Sequence, residues 1–419
     1  MQKPAHIVVL GAGFAGLEFC QRFTHASARV TLVDRSNHHL FQPLLYQVAT
    51  AGLSAPDIAQ PIRSILSNRR NVTVLMESVV DFNLAEKKVM LSSGEMSYDY
   101  LVLALGSRTS YFGHPEWERH APGLKTLADA MAIRRQILLA FEKAETETSA
   151  EEQARLMTMV VVGGGPTGVE LAGAFSELAR HVLRKDFRHI DPAKARVILI
   201  EGGTRILAHL APELSASAQR QLEAMGVHVR LQATVKRIDS GLVELENGET
   251  IRAAAIIWAA GVAATPLAEK LGLPLDRGGR VKVNSDLSVP GHAEVFAVGD
   301  MALALSADGK PVPGVSPAAM QMARQVARII EGELSSPGAA ARPPFRYWDK
   351  GNMATIGRSA AVAQVGSIKL SGLLAWLAWL MIHLIFLVGF RNKISVLFQW
   401  FYSYATYKRG ARIVIGGKE

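Results

Sequence analysis

The chain has 419 residues, of which 49% are hydrophobic, and it carries a formal net charge of +9; that length allows about two or three domains with large cores. More than half of the excess positive charge falls in residues 391–419, beside an apolar run, which favours an anionic membrane surface over a nucleic acid as the partner. The single cysteine, Cys20, excludes an internal disulfide, a cysteine-rich iron–sulfur cluster and a redox-active cysteine pair, and we expect it in the core. The twelve histidines show no metal-ligand spacing, so we assign no metal.

The first predicted element is a strand that leads into a glycine-rich turn. The N-terminus enters this strand at once, so we expect no secretory signal and a chain kept in the cytoplasm. Residues 8–10 are apolar, and Gly11, Gly13 and Gly16 follow in the spacing G-x-G-x-x-G. In this motif the first glycine permits the turn, the second admits a pyrophosphate, and the third lets the helix pack on its strand. Asp34 ends the next apolar run, where a partner for a ribose hydroxyl is expected.

A second copy of the turn follows the apolar run 159–162, with glycines at 163, 165 and 168. The acidic residue that ends its next strand is Glu201, 201 − 168 = 33 residues further on, which indicates a longer crossover. Two such turns, each with an acidic strand end, predict two dinucleotide sites. Glu201 favours NADH over NADPH, because a 2′-phosphate beside a carboxylate is repelled.

Strand-like runs and longer helical stretches alternate from residue 5 to about residue 330, which predicts a doubly wound α/β protein. Three further apolar runs end in small residues, where a ligand can approach the backbone: 100–107, 256–262 and 295–300. We expect two Rossmann-like domains, the second inserted into the first, with a linker at 335–344. The expected boundaries are 1–114 and 282–340 for an FAD-binding domain, 115–281 for an NADH-binding domain, and 341–419 for a C-terminal membrane-attachment region.

Two nested dinucleotide sites indicate electron transfer between two cofactors, since a flavin carries hydride and single-electron chemistry itself. We therefore assign FAD to the first turn and NADH to the second. The residues expected to contact FAD are Gly11, Gly13, Phe14, Ala15, Gly16, Asp34, Arg35, Gln47, Ala104, Gly106, Asp300 and Ala319. Those expected to contact NADH are Gly163, Gly165, Pro166, Thr167, Gly168, Glu201 and Gly261.

A helix is predicted over residues 315–328, with Ser316 as its candidate cap and Pro317 in its first turn. Aimed at the pyrimidine edge of a flavin, its positive end would stabilise negative charge there by about 0.3 to 2 kcal/mol. Gln321 and Gln325 are one turn apart and can share a face of this helix.

The C-terminal region has a different composition. Its run of eighteen apolar residues, 373–390, meets the lower limit for a transmembrane helix. The alternative is a helix that packs on the protein or lies in the membrane interface, followed by an aromatic stretch with basic flanks. We favour monotopic attachment, because interfacial tryptophans and tyrosines are abundant here: Trp376, Trp379, Trp400, Tyr402, Tyr404 and Tyr407.

Motifs along almost the whole chain resemble those of the type II NADH:quinone oxidoreductases, the single-subunit alternative NADH dehydrogenases. They are GAGFAG, FQPLLYQVATAGL, GGGPTGVELAG, VFAVGD, PAAMQMARQ, and DKGNMATIGR with HLIFLVGFRN. The resemblance implies a two-dinucleotide-binding-domain fold, noncovalent FAD, oxidation of NADH and reduction of a membrane quinone without proton pumping. It also implies peripheral attachment at the cytoplasmic face of the cell membrane, and a homodimer.

Carried over by position, the resemblance puts Glu170 near the nicotinamide and flavin, Gln321 at the quinone end, and Lys350 close to the same site. Met322 and Arg324 differ from the side chains of other members. Two other readings stay open from the sequence. A sulfide:quinone oxidoreductase shares the architecture but normally needs redox cysteines that this chain lacks, and a nicotinamide-dependent flavoprotein sensor would be reduced once and stall.

Overall fold

The computed structural model of the chain describes residues 4–306, 308–336, 338, 341–406 and 411–414. The chain divides into two units, and each contains one glycine turn. The first unit consists of Met1–Leu40, Ala59–Arg108 and Val262–Lys350. The second consists of Phe41–Ile58, Thr109–Gly261 and Gly351–Glu419.

The strands are numbered in chain order. Up to the second glycine turn they are β1 (Ala5–Leu10), β2 (Ala28–Asp34), β3 (His38–Leu40), β4 (Ala59–Pro61), β5 (Val72–Met76), β6 (Val79–Asn83), β7 (Lys88–Leu91), β8 (Gly94–Ser97), β9 (Tyr100–Leu103), β10 (Ser107–Thr109) and β11 (Thr158–Val162). Beyond it they are β12 (Arg196–Ile200), β13 (Val227–Arg230), β14 (Val235–Asp239), β15 (Leu242–Leu245), β16 (Thr250–Arg252), β17 (Ala255–Trp258), β18 (Val262–Ala264), β19 (Val281–Lys282), β20 (Ser288–Val289), β21 (His292–Ala297), β22 (Ala302–Leu303), β23 (Asn352–Gly357), β24 (Ala360–Val365) and β25 (Ile368–Ser371).

The helices are numbered in the same way. The α-helices are α1 (Phe14–Arg22), α2 (Leu45–Ala49), α3 (Ala55–Ile58), α4 (Ile62–Ile65), α5 (Leu127–Thr146), α6 (Ala150–Leu156), α7 (Pro166–Glu177), α8 (Pro212–Ala224), α9 (Ser316–Ser335), α10 (Leu373–Phe386) and α11 (Phe390–Thr406). A π-helical turn, Leu178–Val182, continues α7. Short 3-10 helices are formed by Gln42–Leu44, Pro115–Arg119, Pro192–Lys194, Pro266–Leu271 and Gly299–Met301.

A doubly wound sheet forms the centre of the first unit, with strand order β20-β21-β9-β1-β2-β5. β1 pairs in parallel with both β2 and β9, so the strand order reverses beside it. Its apolar residues from Ile7 to Leu10 are fully buried, as expected for a parallel strand covered on both faces. Helices α1 and α9 pack on one face, and Cys20 lies in that core with no exposed surface, as predicted. Ligands bind at the carboxyl ends of strands where such a sheet reverses.

The second unit repeats this arrangement in a smaller parallel sheet, with order β13-β12-β11-β17. β11 has β12 and β17 as parallel neighbours, just as β1 has β2 and β9. The runs at 100–107 and 256–262, which end in small residues, therefore supply the strands next to the two turn-bearing strands. The predicted class of two Rossmann-like units is confirmed.

The C-terminal residues of the second unit form an antiparallel sheet of β23, β24 and β25, which packs against α7 and α10. Gly173 is the residue of α7 over which β23 passes. A Cβ atom there would lie 1.7 Å from the carbonyl oxygen of Ile356. The close approach of α7 and β23 therefore requires a glycine at this position, which the sequence analysis did not recognise.

The start of α9 differs from the expectation for its cap. Ser316 is the first helical residue, the N-cap is Val315 with φ −128° and ψ 152°, and no side chain caps the helix. The extended backbone that a cap requires falls one residue earlier than predicted, so the assignment of Ser316 as cap was wrong. Pro317 does lie in the first turn, and α9 ends at Ser335, where the expected linker begins. Residues 337, 339 and 340 of that linker lie outside the described residues.

The apolar run 373–390 forms two elements rather than one helix. α10 ends at Phe386, Leu387 is extended, and Gly389 has φ +86° in the left-handed region that favours glycine. The next helix, α11, begins at Phe390. Across the ranges that the structure describes, none of the helices combines the length and the hydropathy needed to cross a bilayer.

Replacing Gly173 by alanine should lower the free energy of unfolding by about 1 to 3 kcal/mol, because the new methyl group overlaps backbone that has no rotamer to relieve it. Thermal unfolding of the FAD-loaded protein measures this. Gly332, exposed in the last turn of α9, is the control, since a Cβ there meets nothing within 4 Å. Gly332→Ala should be neutral or stabilising by up to about 1 kcal/mol, and equal melting of the two variants would contradict the account of the α7–β23 approach.

Candidate active site

Two of the three glycines in the first turn pack closely against neighbouring backbone. Gly11 has φ +98°, and a Cβ atom on it would lie 2.4 Å from the carbonyl oxygen of Ala104. A Cβ on Gly16 would lie 1.8 Å from the carbonyl oxygen of Gly11. On Gly13 it would meet nothing within 4 Å. The first and third glycines thus permit backbone packing, while the middle one faces open space that a diphosphate can enter.

The second turn has the same geometry. A Cβ on Gly163 would lie 2.5 Å from Ala259, and one on Gly168 would lie 1.9 Å from the carbonyl oxygen of Gly163. A Cβ on Gly165, as on Gly13, would meet nothing within 4 Å. Both following helices, α1 and α7, begin after a glycine N-cap without a side-chain cap. Their first N–H groups are therefore available to an anion at the positive end of the helix.

The acidic strand ends bind the backbone of their own turns. Asp34 accepts hydrogen bonds from the backbone N–H of Ala12, at 2.6 Å, and of Ser36, at 2.7 Å. Glu201 accepts them from Gly164 and Gly203, both at 2.6 Å. Each carboxylate is thereby fixed at the carboxyl end of its sheet, where a ribose hydroxyl is recognised in this type of fold.

His39 is a further polar group beside the first turn. Its Nδ1–H donates to the carbonyl oxygen of Ala12 at 2.9 Å, and the side chain is 2% exposed. Burial lowers the pKa of the imidazole, so the ring is neutral and Nε2 is an acceptor. Within the described part of the chain, nothing donates to that buried nitrogen. A hydroxyl or N–H group of a bound dinucleotide would satisfy it, which supports the fit of FAD to this turn.

A cavity in the first unit supplies further groups suited to FAD. Asp300 lies on it and accepts a hydrogen bond from the Ser107 hydroxyl at 2.7 Å. Ala319 lines the cavity from the first turns of α9, whose N-terminus has no side-chain cap. A carboxylate for sugar or ribityl hydroxyls and a positive helix end for an electron-rich ring are the groups that a flavin dinucleotide needs. Gly106 has φ +70° with open space beside it, and Arg35 is exposed at the end of β2.

The second unit has a cavity of its own, here called the Glu170 cavity. It is lined by Tyr46, Gln47, Thr50, Gly52, Glu170, Ala174, Glu177, Thr355, Ile356, Gly357, Arg358, Trp400, Ser403 and Tyr404. Glu170 projects from α7, and the backbone N–H of Thr355 donates to it at 3.4 Å. Removal from bulk water raises the pKa of this carboxyl to about 8, although the Thr355 bond opposes the shift.

Gln47, expected to contact FAD, belongs to the second unit and lines the Glu170 cavity. Its side chain bonds to Tyr46 and to Trp400. From the sequence alone, no role is predicted for Tyr46, and Trp400 is expected in the membrane interface. No local pattern links positions 353 residues apart, so only the folded chain brings Trp400 to this cavity.

Gln321 and Gln325 share one face of α9, as predicted, and both bind the backbone of the extended segment that follows. Gln321 donates to the carbonyl oxygen of Trp348 and accepts from its N–H, both at 3.0 Å. Gln325 donates to the carbonyl oxygen of Pro343 at 2.7 Å. The Lys350 ammonium lies 5.4 Å from the centre of the exposed Trp348 ring, within reach of a cation–π contact.

Comparison with known proteins identifies the family. Residues 5–324 match the family model described as pyridine nucleotide-disulphide oxidoreductase, and residues 349–406 match the NDH2 C-terminal domain. The type II NADH:quinone oxidoreductase Ndh of Mycobacterium tuberculosis is 43% identical, over 96% of this chain and 89% of that protein. The chain belongs to the type II NADH:quinone oxidoreductase family. It is accordingly an FAD-dependent enzyme that oxidises NADH and reduces a quinone through its flavin, without pumping protons.

Solved structures with low sequence identity share the fold. The structure of NDH2 from Plasmodium falciparum in complex with NADH aligns with a TM-score of 0.90, over 99% of this chain and all of that chain, at 20% identity. The sulfide:quinone oxidoreductase of Aquifex aeolicus aligns at 0.72, over 93% of this chain and 92% of that one, at 19% identity. The shared fold alone does not distinguish this chain from a sulfide:quinone oxidoreductase. Family membership decides against that function and against a flavoprotein sensor.

Replacing Glu201 by alanine should reduce the preference for NADH over NADPH, because the carboxylate that repels a 2′-phosphate is lost. We expect the ratio of kcat/KM for the two nucleotides to fall by at least about tenfold, the equivalent of about 1.4 kcal/mol. Steady-state kinetics with each nucleotide measure it. Glu223→Ala, at an exposed position on α8, is the control. An unchanged ratio in Glu201→Ala would remove Glu201 from nucleotide selection.

Proposed function

We propose that FAD binds at the first glycine turn, that NADH binds at the second, and that the quinone head group is reduced in the Glu170 cavity. The observation that carries the two nucleotide sites is their common geometry, in which the middle glycine alone faces open space and an acidic strand end holds the turn. Bound FAD supplies the two-electron carrier between the substrates.

The residues predicted from the sequence take the following roles in this proposal. Gly13 and Gly165 admit the diphosphates. Phe14, Ala15 and Thr167 contribute the first N–H groups of their helices, and Pro166, which has no N–H, contributes a ring surface at the start of α7. Asp34 and Glu201 bind ribose hydroxyls, and Asp300 binds a hydroxyl of the FAD chain. Gly261, three residues after the end of β17, borders the nicotinamide half of NADH, because the acidic end of β12, on the other side of β11, takes the adenosine half.

Glu170 is the proton donor that we assign to quinone reduction. Its pKa of about 8 leaves the carboxyl mostly protonated at neutral pH, which is the state that a general acid requires. The protonated fraction falls as pH rises through about 8, and the contribution of this group should fall with it. Glu170 is partly buried where it lines the cavity, which keeps it apart from bulk water.

Gln321 and Lys350 act on the quinone step through the segment that they fix. The Gln321 amide holds the backbone of Trp348 from both sides, and Lys350 follows two residues later. This assignment rests on the family resemblance and on that pair of hydrogen bonds. A mobile 348–350 segment would leave the ammonium group without a defined position.

Gln321→Ala should slow reoxidation of the enzyme by a quinone at least about tenfold, because misplacement of catalytic groups by about 1 Å is costly. Reduction by NADH should persist within about twofold. The purified yellow protein is mixed anaerobically with NADH and then with a short-chain quinone, and the flavin absorbance is followed. Gln325→Ala, which frees only Pro343, is the control. Equal losses in both steps would refute the assignment.

The surface that we propose for membrane attachment is the outward face of α10 and α11, here called the apolar face. Its exposed members are Leu373, Leu374, Leu377, Met381, Ile385, Phe386, Ile394, Leu397, Phe398, Phe401 and Tyr402. The opposite side of the same helices is buried at Trp376, Trp379 and Trp400. Isolated apolar residues on a surface need no explanation, but a contiguous face of this extent indicates a lipid partner.

Basic residues favour an anionic bilayer as that partner, at the cytoplasmic face of the cell membrane. Arg391 is exposed at the start of α11, whereas Arg412, in the short described stretch near the C-terminus, is paired with Asp186. Positive charge beside an apolar face adds attraction to anionic lipids of about 1 kcal/mol for each residue near the surface. Tyr407, Lys408, Arg409 and Lys418, counted in the prediction, lie outside the described residues. A homodimer is proposed from the resemblance alone.

The double substitution Phe398→Ser and Phe401→Ser should weaken binding to vesicles of phosphatidylglycerol and phosphatidylcholine at least about tenfold, since each buried phenylalanine contributes about 1.5 to 3 kcal/mol. Cosedimentation measures the bound fraction. Met76→Ser, at a position 62% exposed in the first unit, is the control. Equal binding of the double variant and the parent, or no preference of the parent for anionic over neutral vesicles, would count against the apolar face or its charge.

A further inference from the structure

A buried chain of hydrogen bonds connects α11 to the Glu170 cavity. The indole Nε1–H of Trp400 donates to Oε1 of Gln47 at 2.8 Å, and Nε2 of Gln47 donates to the Tyr46 hydroxyl at 2.8 Å. All three side chains are nearly inaccessible, with 5%, 7% and 7% of their surface exposed. Because an indole N–H is a donor only, it fixes the Gln47 amide with its oxygen toward Trp400 and its nitrogen toward Tyr46.

This orientation leaves the Tyr46 hydroxyl as a donor. Its oxygen accepts from Gln47, and in the described part of the chain no acceptor takes its hydrogen. Tyr46 lines the cavity, and its ring packs edge-on against Trp379 with centroids 6.4 Å apart. Burial and then the nearby Glu170 raise the pKa of the phenol well above its usual value, so the group stays protonated in the working pH range.

Four other ionisable groups line the cavity around this hydroxyl. Glu170 and Glu177 face the cavity from α7, Arg358 from the loop after β23, and Tyr404 from α11. Two of these, Glu170 and Tyr404, have the largest electrostatic effects on Tyr46. A phenol beside a carboxyl that is protonated at neutral pH is an arrangement suited to passing a proton.

We propose that Tyr46 donates a hydrogen bond and then a proton to an oxygen of the quinone in the Glu170 cavity, and that Gln47 and Trp400 are positioning residues that hold its hydroxyl. The inference rests on the proposed function of this cavity. Reduction of a quinone to a quinol takes two electrons, which NADH supplies through FAD, and two protons. Tyr46 gives one proton to the quinone and regains it from the Glu170 carboxyl, which is reprotonated from bulk solvent. The second proton is the one that NADH delivers with the electron pair as hydride, so that NADH, one solvent proton and the quinone give NAD⁺ and the quinol.

Single-turnover kinetics separate the two half-reactions. In Tyr46→Phe, which removes only the hydroxyl, reoxidation by a short-chain quinone should slow at least about tenfold, at the low end of general acid catalysis. Reduction by NADH should stay within about twofold. In the parent the quinone step should decline as pH rises through about 8, and Tyr46→Phe and Glu170→Gln should each abolish that decline. The double variant should be no slower than the slower single variant, because both groups serve one proton path.

Binding provides a readout that does not depend on turnover. Affinity for a redox-inert quinone analogue, measured by calorimetry on the FAD-loaded protein, should fall about 3- to 10-fold in Tyr46→Phe with loss of one hydrogen bond. Trp400→Phe and Gln47→Leu keep the Tyr46 phenol but remove the hydrogen bonds that position it. Each should shift the pH dependence of the quinone step, with a smaller loss of rate than Tyr46→Phe. Tyr98→Phe is the control, because the buried Tyr98 hydroxyl has no hydrogen-bond partner in the described chain and its loss should change nothing.

The outcomes distinguish this inference from the function on which it rests. If Glu170→Gln matches the parent in the rate and pH profile of the quinone step, the proposed function of the cavity fails. If Glu170→Gln changes that step but Tyr46→Phe matches the parent in rate, pH profile and analogue affinity, only the role of Tyr46 fails. Equal slowing of both half-reactions would show a structural role and overturn the inference. If Tyr46→Phe does not accumulate as yellow protein, the test passes to Gln47→Leu and Trp400→Phe. An unchanged rate and pH profile of the quinone step in both of these variants would overturn the inference.

Discussion

Both nucleotide turns depend on backbone segments that approach each other more closely than a Cβ atom allows. In each turn the third glycine lies against the carbonyl group of the first, so that the helix starts directly on the strand end: Gly16 on Gly11, and Gly168 on Gly163. The N–H groups of α1 and α7 are thereby fixed at the carboxyl edge of their sheets. The same constraint recurs at Gly173, where it brings β23 onto α7 and the Thr355 backbone to Glu170.

The two acidic strand ends show why nucleotide recognition and local stability are coupled in this fold. Asp34 and Glu201 each use both carboxylate oxygens on backbone N–H groups of the adjoining turns. Charge-assisted bonds of this kind are short and about twice as strong as neutral ones. The carboxylate to which we assign a ribose hydroxyl also holds the turn to which we assign the diphosphate, so on this proposal its removal weakens two functions together.

Features encoded in short stretches could be predicted, and features that depend on distant contacts could not. The turns at Gly11 and Gly163 and the neighbouring strands follow from local patterns of glycine and apolar residues. The cap of α9 was misplaced by one residue because Val315 and Ser316 differ in backbone conformation rather than in any pattern. The apolar run near Gly389 gave no sign of a helix break. Glu170 and Gln321 came from resemblance, whereas Tyr46 and its link to Trp400 needed the folded chain.

Helix α11 has two faces with different partners. Val396 and Trp400, one turn apart, are buried, while Phe398 and Phe401 are exposed. Along its inner side Ser395 donates to Asp57 and Asn392 donates to the carbonyl oxygen of Pro56. With the bond from Trp400 to Gln47, these fix α11 to the 41–58 segment over about two turns. Separating Trp400 from Gln47 would leave a buried donor and acceptor unpaired, at a cost of about 1 to 3 kcal/mol for each group. The shape of the Glu170 cavity therefore depends on the docking of the helix that carries the apolar face, and the amide that orients Tyr46 is kept in place only while that helix stays docked.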